Sequence, residues 1–289
     1  MPDQILQHIT PHVWWMPPAK PDRPSLCAVV GARGTLMLDA GASDAHARLF
    51  LEALAAKNLP APRFVALTHW HWDHTFGAAE IGVPIIAHPK TSDKIWEMAG
   101  YEWDDQSMAQ RVAQHLGVPT ANGMKDIQIE VPDPKRQIRF AAPDILLETS
   151  LTIDLGDVTC RITHVGGDHA ADSCIMHIVE DRVLFLGDCL YHAIFPKEYY
   201  TLEKMTPLIE TLLAYDAEQF IEGHSDTVLS RAEALVLIEK MRAAGRIVQG
   251  MPFADADAML ANAASQGIDT SDEDFDFFLR ALLVGRNFS

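Results

Sequence analysis

The chain lacks the features that would place it in a membrane, in a disulfide framework or on nucleic acid. Across its 289 residues no apolar run approaches the ~20 residues that a membrane-spanning helix needs. Cysteine is sparse. Cys27, Cys160, Cys174 and Cys189 are scattered with no CxxC pair, which fits reduced, buried thiols rather than cross-links. Basic residues number 23 against 40 acidic ones, for a formal charge of −17. Such a surface repels phosphate backbones, so nucleic acid is not an expected partner. Met1-Pro2-Asp3-Gln4 lacks the basic start and apolar stretch of a secretory leader, and a cytoplasmic location is the simplest expectation. No short-period repeat is visible. What remains is globular: 48% hydrophobic and 22% charged residues support a sizeable core, and one α/β domain can run to this length.

The pattern along the chain alternates strands and helices. His12–Trp15, Leu26–Gly31 and Thr35–Asp39 read as strands between Pro and Gly breaks. Ser43–Lys57 reads as an amphipathic helix with Ser43 as its N-cap. Arg63–Leu67 and Pro84–Ala87 are further strands, with a short helix at Thr75–Ile81. Residues from about 91 to 145 break the rhythm and read as an insertion that walls a pocket or elaborates the surface. Within it Lys94–Met98 and Met108–Leu116 are helical candidates, and Pro119–Pro143 is read as loop. Strands return at Leu151–Leu155, Val158–His164, Ser173–Val179, Val183–Leu186 and Gln219–Ile221. Helices are expected at Thr206–Tyr215, Arg231–Ala243 and twice between Asp255 and Leu283. Two strand-rich halves, each followed by helices, predict a layered α/β sandwich in one domain over 1–289, with C-terminal helices from about 230. Phe275–Leu283 is read as a cap on the core, with a homodimer seam as the alternative.

The chemistry is concentrated in Thr68-His69-Trp70-His71-Trp72-Asp73-His74. Neutral imidazole and carboxylate are ligands for zinc-class cations. On extended backbone, residues two apart point the same way, so His69 and His71 can grip one ion. A turn after Trp72 aims Asp73 and His74 at a second. The arrangement differs from the helical HExxH of zinc proteases, because strand precedes it and Gly77 soon follows. Two ions need more donors, and three later strand ends supply them. His164 and His169 flank the turn Gly166-Gly167-Asp168, Asp188 follows Leu186-Gly187, and His224 follows Glu222-Gly223.

Together these motifs resemble the metallo-β-lactamase superfamily. Residues 68–74 are similar to its HxHxDH signature. Gly167-Asp168-His169, Gly187-Asp188 and Gly223-His224 resemble its later ligand motifs in the same order, and Leu38-Asp39-Ala40-Gly41 resembles its early strand-turn. The resemblance implies a four-layer αββα sandwich with metals at one edge of the paired sheets. By position it assigns His69, His71 and His169 to one ion, Asp73, His74 and His224 to a second, and Asp188 to a bridge. His164 then becomes a neighbour of the site and Asp39 a support behind it. Family members usually carry Pro-Gly before the second-motif histidine, where this chain has Gly166-Gly167-Asp168.

The implied activity is hydrolysis of a small-molecule ester, lactone, thioester or amide by hydroxide on two zinc ions, with iron or manganese as the other metals these donors accept. Asp73 is expected to bind the second ion and orient the nucleophile, and acid help for the leaving group is expected from that ion itself or from Tyr191 or His192. A di-iron redox protein and a non-catalytic metal-binding member of the fold are the alternatives. The first is disfavoured because His71 is not replaced by a carboxylate, the second because the ligand set is complete.

Overall fold

The computed structural model describes residues 4–288, so Met1-Pro2-Asp3 of the leader reading lie outside it. Among the described residues two sheets form. The first has seven strands in sequence order: β1 (Gln7–His8), β2 (Val13–Met16), β3 (Leu26–Gly31), β4 (Gly34–Leu38), β5 (Pro62–Ala66), β6 (Ile85–Ala87) and β7 (Ile145–Leu146). Strands β1 to β4 are antiparallel neighbours, and β4 to β7 are parallel. The second has six: β8 (Ser150–Asp154), β9 (Thr159–His164), β10 (Cys174–Ile178), β11 (Val183–Gly187), β12 (Gln219–Glu222) and β13 (Leu229–Ser230), also adjacent in sequence order. Here only the β11–β12 pair is parallel.

Side-chain alternation explains the layering. In β3, Cys27 and Val29 face one way while Leu26 and Ala28 face the other, and all four are buried. In β11, Phe185 points between the sheets while Leu184 and Leu186 point outward into a second apolar layer. A strand apolar on both faces must be covered on both. The inter-sheet core joins Trp15, Leu36 and Leu38 to Ile162, Met176 and Phe185. Helices α1 (Asp44–Ala56), α2 (Trp72–Thr75), α3 (Ala78–Ile81), α4 (Pro89–Ala99), α5 (Asp105–Ala113) and α6 (Ala121–Glu130) pack on the first sheet. Helices α7 (Leu202–Leu213), α8 (Arg231–Gly250), α9 (Ala256–Ser265) and α10 (Glu273–Gly285) pack on the second. The result is the expected αββα order. All four cysteines are buried free thiols, and burial raises each above the ordinary thiol range.

The cap signals are realised. Ser43 accepts from the His46 N–H at 3.0 Å to start α1. Ser230 and Glu233 form a reciprocal capping box at the head of α8. The sequence reading of Pro119–Pro143 as loop is corrected: α6 forms inside it. Its prolines lie outside the helix, Thr120 caps it by accepting from Gly123 N, and Ile127 buries its inner face. Likewise α7 begins at Leu202, a turn before the expected Thr206, and carries Pro207 within it. The short helix expected at Thr75–Ile81 is split into α2 and α3 around Phe76-Gly77. Strands β1, β7 and β13 have two residues each, too few to leave a periodic signal.

Two substitutions should separate core from cap. Phe185 is fully buried between the sheets, and Phe185→Ala should cost about 3–5 kcal/mol by leaving a cavity. Ser230→Ala, which removes only the cap, should cost about 1 kcal/mol. Urea unfolding of both variants beside the parent checks the ranking. Equal losses would contradict the inter-sheet core as the main stabilising layer.

Candidate metal centre

Parallel pairing brings the site's residues to one edge. Strands β4 and β5 end side by side, so Asp39, just past β4, reaches the segment after β5. Its carboxylate accepts from the Thr68 N–H at 2.7 Å, from the Thr68 hydroxyl at 2.9 Å and from His74 Nδ1 at 2.7 Å. Asp39 holds a left-handed φ of 60°, a conformation that Asp tolerates better than most residues. The Thr68 hydroxyl gives its hydrogen to Asp39, so its oxygen accepts from His69 Nδ1 at 3.0 Å. Both histidines are therefore held with a proton on Nδ1 and with Nε2 turned to the cluster.

Strands β11 and β12 also run in parallel and end at the same edge, delivering Asp188 and His224. The approach is tight. A Cβ on Gly187, at φ 52°, would sit 2.7 Å from the Thr68 side chain, and one on Gly223 would overlap Asp188 Oδ1. Only glycine lets these strand ends close on the cluster. Between β9 and β10 the loop 165–173 carries His169, whose Nδ1 donates to the His192 carbonyl at 3.0 Å.

The structure brings all seven sequence-derived candidates together. His69, His71, His169 and Asp188 form one group whose donor atoms lie within 4.8 Å of one another, and Asp73, His74, Asp188 and His224 form another. Asp188 belongs to both. Its Oδ2 is 3.3 Å from Nε2 of His74, His169 and His224, and 3.9 Å from Nε2 of His69. His71 Nδ1 faces His169 Nε2 at 2.9 Å, and Asp73 Oδ2 lies 3.1 and 3.2 Å from His74 and His224. Donors about 2.1 Å from a tetrahedral cation would be spaced about 3.4 Å apart, so these separations fit. The donor chemistry fits as well: Nε2 of His69 and His74 and Oδ1 of Asp188 are buried with no hydrogen-bond partner.

The electrostatics agree. Burial and the neighbouring His74 hold His69 well below the ordinary imidazole value, and burial with His169 takes His71 to about 3, so both are neutral. Burial opposes charge on Asp73 and Asp188, yet His74 and His224 hold both well below the carboxylate range. Burial likewise opposes charge on His224, but Asp188 and Asp73 lift it to about 10. His74 is raised in the same way. Protons on these two histidines and a bound cation are thus competing answers to the same negative charge.

His164 stands apart. It stacks on His88 with ring centroids 3.9 Å apart, and its Nε2 bonds the Ala171 carbonyl. Of the two histidines that the residues alone left open, His169 is the one in the cluster. Tyr191 lines the cleft above it, and its hydroxyl accepts from the His224 N–H at 3.2 Å. Burial and the charges of Glu222 and Asp188 keep that phenol protonated. His192 contributes its carbonyl to His169, and its ring lies 3.9 Å from Glu198. Two participants were missed. Thr68 relays Asp39 to His69, and Asp22 sits 3.6 Å from His224 Nδ1. Burial and the Asp73 charge raise Asp22 to about 7. Pro21-Asp22-Arg23 has no motif that could have flagged it.

The cluster floors a cleft of about 750 Å³, walled by residues 112–126 of the expected insertion and by the 191–199 loop. A His/Asp cluster at the strand ends of an αββα sandwich marks a hydrolase-type fold with a candidate metal site. The chain belongs to the metallo-beta-lactamase superfamily, whose family model matches residues 21–244. Solved structures agree on the fold. A metallo-beta-lactamase from Pontibacter korlensis is 17% identical with a TM-score of 0.56, covering 81% of this chain and 98% of that one. One from Cronobacter sakazakii is 18% identical with a TM-score of 0.59, covering 100% and 97%. A stereoselective inverting sec-alkylsulfatase from Pseudomonas sp. is 16% identical with a TM-score of 0.65, and this chain spans only 47% of its length. No curated protein sequence matches significantly.

Two outcomes test this geometry. Asp39→Asn keeps a residue that accepts left-handed backbone but loses the charged acceptor, and should weaken zinc affinity by about 10–100-fold, read by chelator competition with the circular dichroism unchanged. The second concerns protons. The value of about 10 for His224 lies above its ordinary 6.5. Its protonated form therefore stabilises the metal-stripped fold fully below pH 6.5, and that contribution is lost as pH rises through about 10. Zinc uptake runs the other way and must displace the proton. Calorimetry at pH 7 in buffers of different ionisation heat should register release of about one or two protons per chain. No release would contradict the assignment.

Proposed function

We propose that this protein is a di-zinc hydrolase of a small ester, lactone, thioester or amide. His69, His71 and His169 would hold one ion, Asp73, His74 and His224 the other, and Asp188 would join them. The observation that supports this reading is the pair of overlapping donor groups sharing one carboxylate. Zinc held there supplies Lewis acidity and a water ionised near neutral pH.

The chain's own residues supply the remaining parts. Asp73 turns Oδ2 to His74 and His224, which leaves Oδ1 to orient the attacking water. Tyr191 stands above the cluster as a neutral phenol and donates its proton to the leaving group. Asp39, directly and through Thr68, fixes the tautomers of His74 and His69. The cleft has the size of a small-molecule site. We place 1–289 in one domain, with the insertion as the roof of that cleft.

Metal analysis with an activity panel of lactones, thioesters, phosphodiesters and β-lactams tests the reading. Two zinc equivalents and turnover of an acyl substrate are expected. His71→Ala should lose metal and activity while remaining folded by circular dichroism, and turnover retained in that variant would remove the site assignment. Tyr191→Phe should lower kcat by about 100-fold with KM little changed. An unaltered kcat would take the acid role away from Tyr191.

A further inference from the structure

The walls of the cleft carry charge of one sign. Among its described lining residues there is no lysine and no arginine, whereas Asp22, Asp126 and Glu198 all line it. Lys197 precedes Glu198 in sequence but is not part of the lining. Asp168, a further acidic member, is already engaged by the Thr201 hydroxyl at 2.9 Å and by Lys204 at 3.5 Å. Among the described residues Asp126 makes no hydrogen bond or ion pair, although Lys20 and Lys125 act on its charge from nearby, and Asp22 has only the 3.6 Å approach to His224. Aromatic rings join the same lining: Phe195 is exposed and Tyr199 lies beside it, whereas Trp103 is buried under the Arg111 guanidinium and Trp70 already has the Lys94 ammonium over its ring. Buried, unpartnered atoms of His69, His74 and Asp188 mark the floor as a place where a ligand is bound.

A substrate is thus met by two environments. At the floor its reacting carbonyl meets the His–Asp cluster. Along the walls the rest of it meets apolar rings and acidic groups, and no described lining residue is a lysine or arginine that could pair an anion. A carboxylate, sulfate or phosphate on that remote part would lie against like charge and lose its hydration without a donor in return. A protonated amine gains on both counts, from the ring quadrupoles and from the carboxylates. The net charge of −17 draws cations toward the molecule as well.

Resting on the hydrolase reading for its chemistry, we propose that the cleft selects acyl substrates whose remote end is apolar and carries a protonated or quaternary amine, and rejects those with an anionic remote end. Asp126 is the specificity-determining acid, with Phe195 and Tyr199 as the surface on which the cation rests.

The test uses three esters that differ only in one terminal group: trimethylammonium, its neutral tert-butyl isostere, and carboxylate. With zinc-loaded protein, kcat/KM should fall in that order, by at least about tenfold from first to last. Asp126→Lys should flatten or invert the order through KM. A carboxylate ester turned over as well as the trimethylammonium ester overturns the proposal. Calorimetric binding of a phenylalkyl trimethylammonium and its tert-butyl isostere separates this from the hydrolase reading, since neither offers a lone pair to a metal. Cleavage of none of the three, with about fivefold tighter binding of the cation, would remove the reaction and keep the charge preference. Equal or weaker binding of the cation would remove the preference itself.

Discussion

The carboxylate of Asp188 stands 3.3 Å from Nε2 of three histidines, and the surrounding structure serves to hold it there. With Asp73 close by, lone pairs and negative charge converge in a volume from which water is largely removed. Positive charge relieves this, either as protons on His74 and His224 or as cations. The backbone meets the same demand. Gly187 and Gly223 let two parallel strand ends approach until a single added carbon would collide. Asp39, bent into a left-handed turn, uses one carboxylate to align two imidazoles. The centre is a point at which both sheets are fixed to each other: the Cys174 N–H of the second donates to the Thr68 carbonyl of the first at 2.7 Å.

Much of this was legible because the first motif is local. His69, His71, Asp73 and His74 lie within six residues, so strand and turn periodicity alone can aim them. The distant donors were legible for a different reason: each follows an apolar strand and adjoins glycine, and that is how strands approach a shared point. What could not be read depends on the third dimension. Residues alone gave no way to choose between His164 and His169, and packing decided it, because His164 is taken up by the His88 ring. Thr68 takes its orientation from Asp39, 29 positions away, and Asp22 meets His224, 202 positions away, and nothing in their own neighbourhood announces either contact. Helix α6 was hidden by the prolines that flank it, although Thr120 and the buried Ile127 held the signal.

That hidden helix bears on specificity. The αββα frame sets the floor of the cleft, whereas α6 and the 191–199 loop set its walls. Solved structures below 20% identity share the frame over 81 to 100% of this chain, so the frame carries little information about what is bound. The walls carry more. Their acidic groups do little to hold the fold: among the described residues Asp126 makes no hydrogen bond or ion pair, and Asp22 approaches only His224. Unpaired carboxylates beside an apolar surface are unfavourable unless solvent or a ligand cation compensates them.

Floor and walls therefore have opposite preferences. The floor concentrates donors that call for cations, and once these are in place it attracts the electron-rich oxygen of a carbonyl. The walls repel the same kind of charge a few residues away. A neutral ligand would experience this gradient weakly and lie in several orientations. On the proposed hydrolase reading, a ligand with an acyl oxygen at one end and an ammonium at the other would be turned one way only, with its carbonyl toward the His/Asp cluster. Orientation of that kind raises the fraction of bound molecules poised to react without any further contact at the reacting atoms. Wall charge in such a cleft acts on the rate of reaction as well as on affinity.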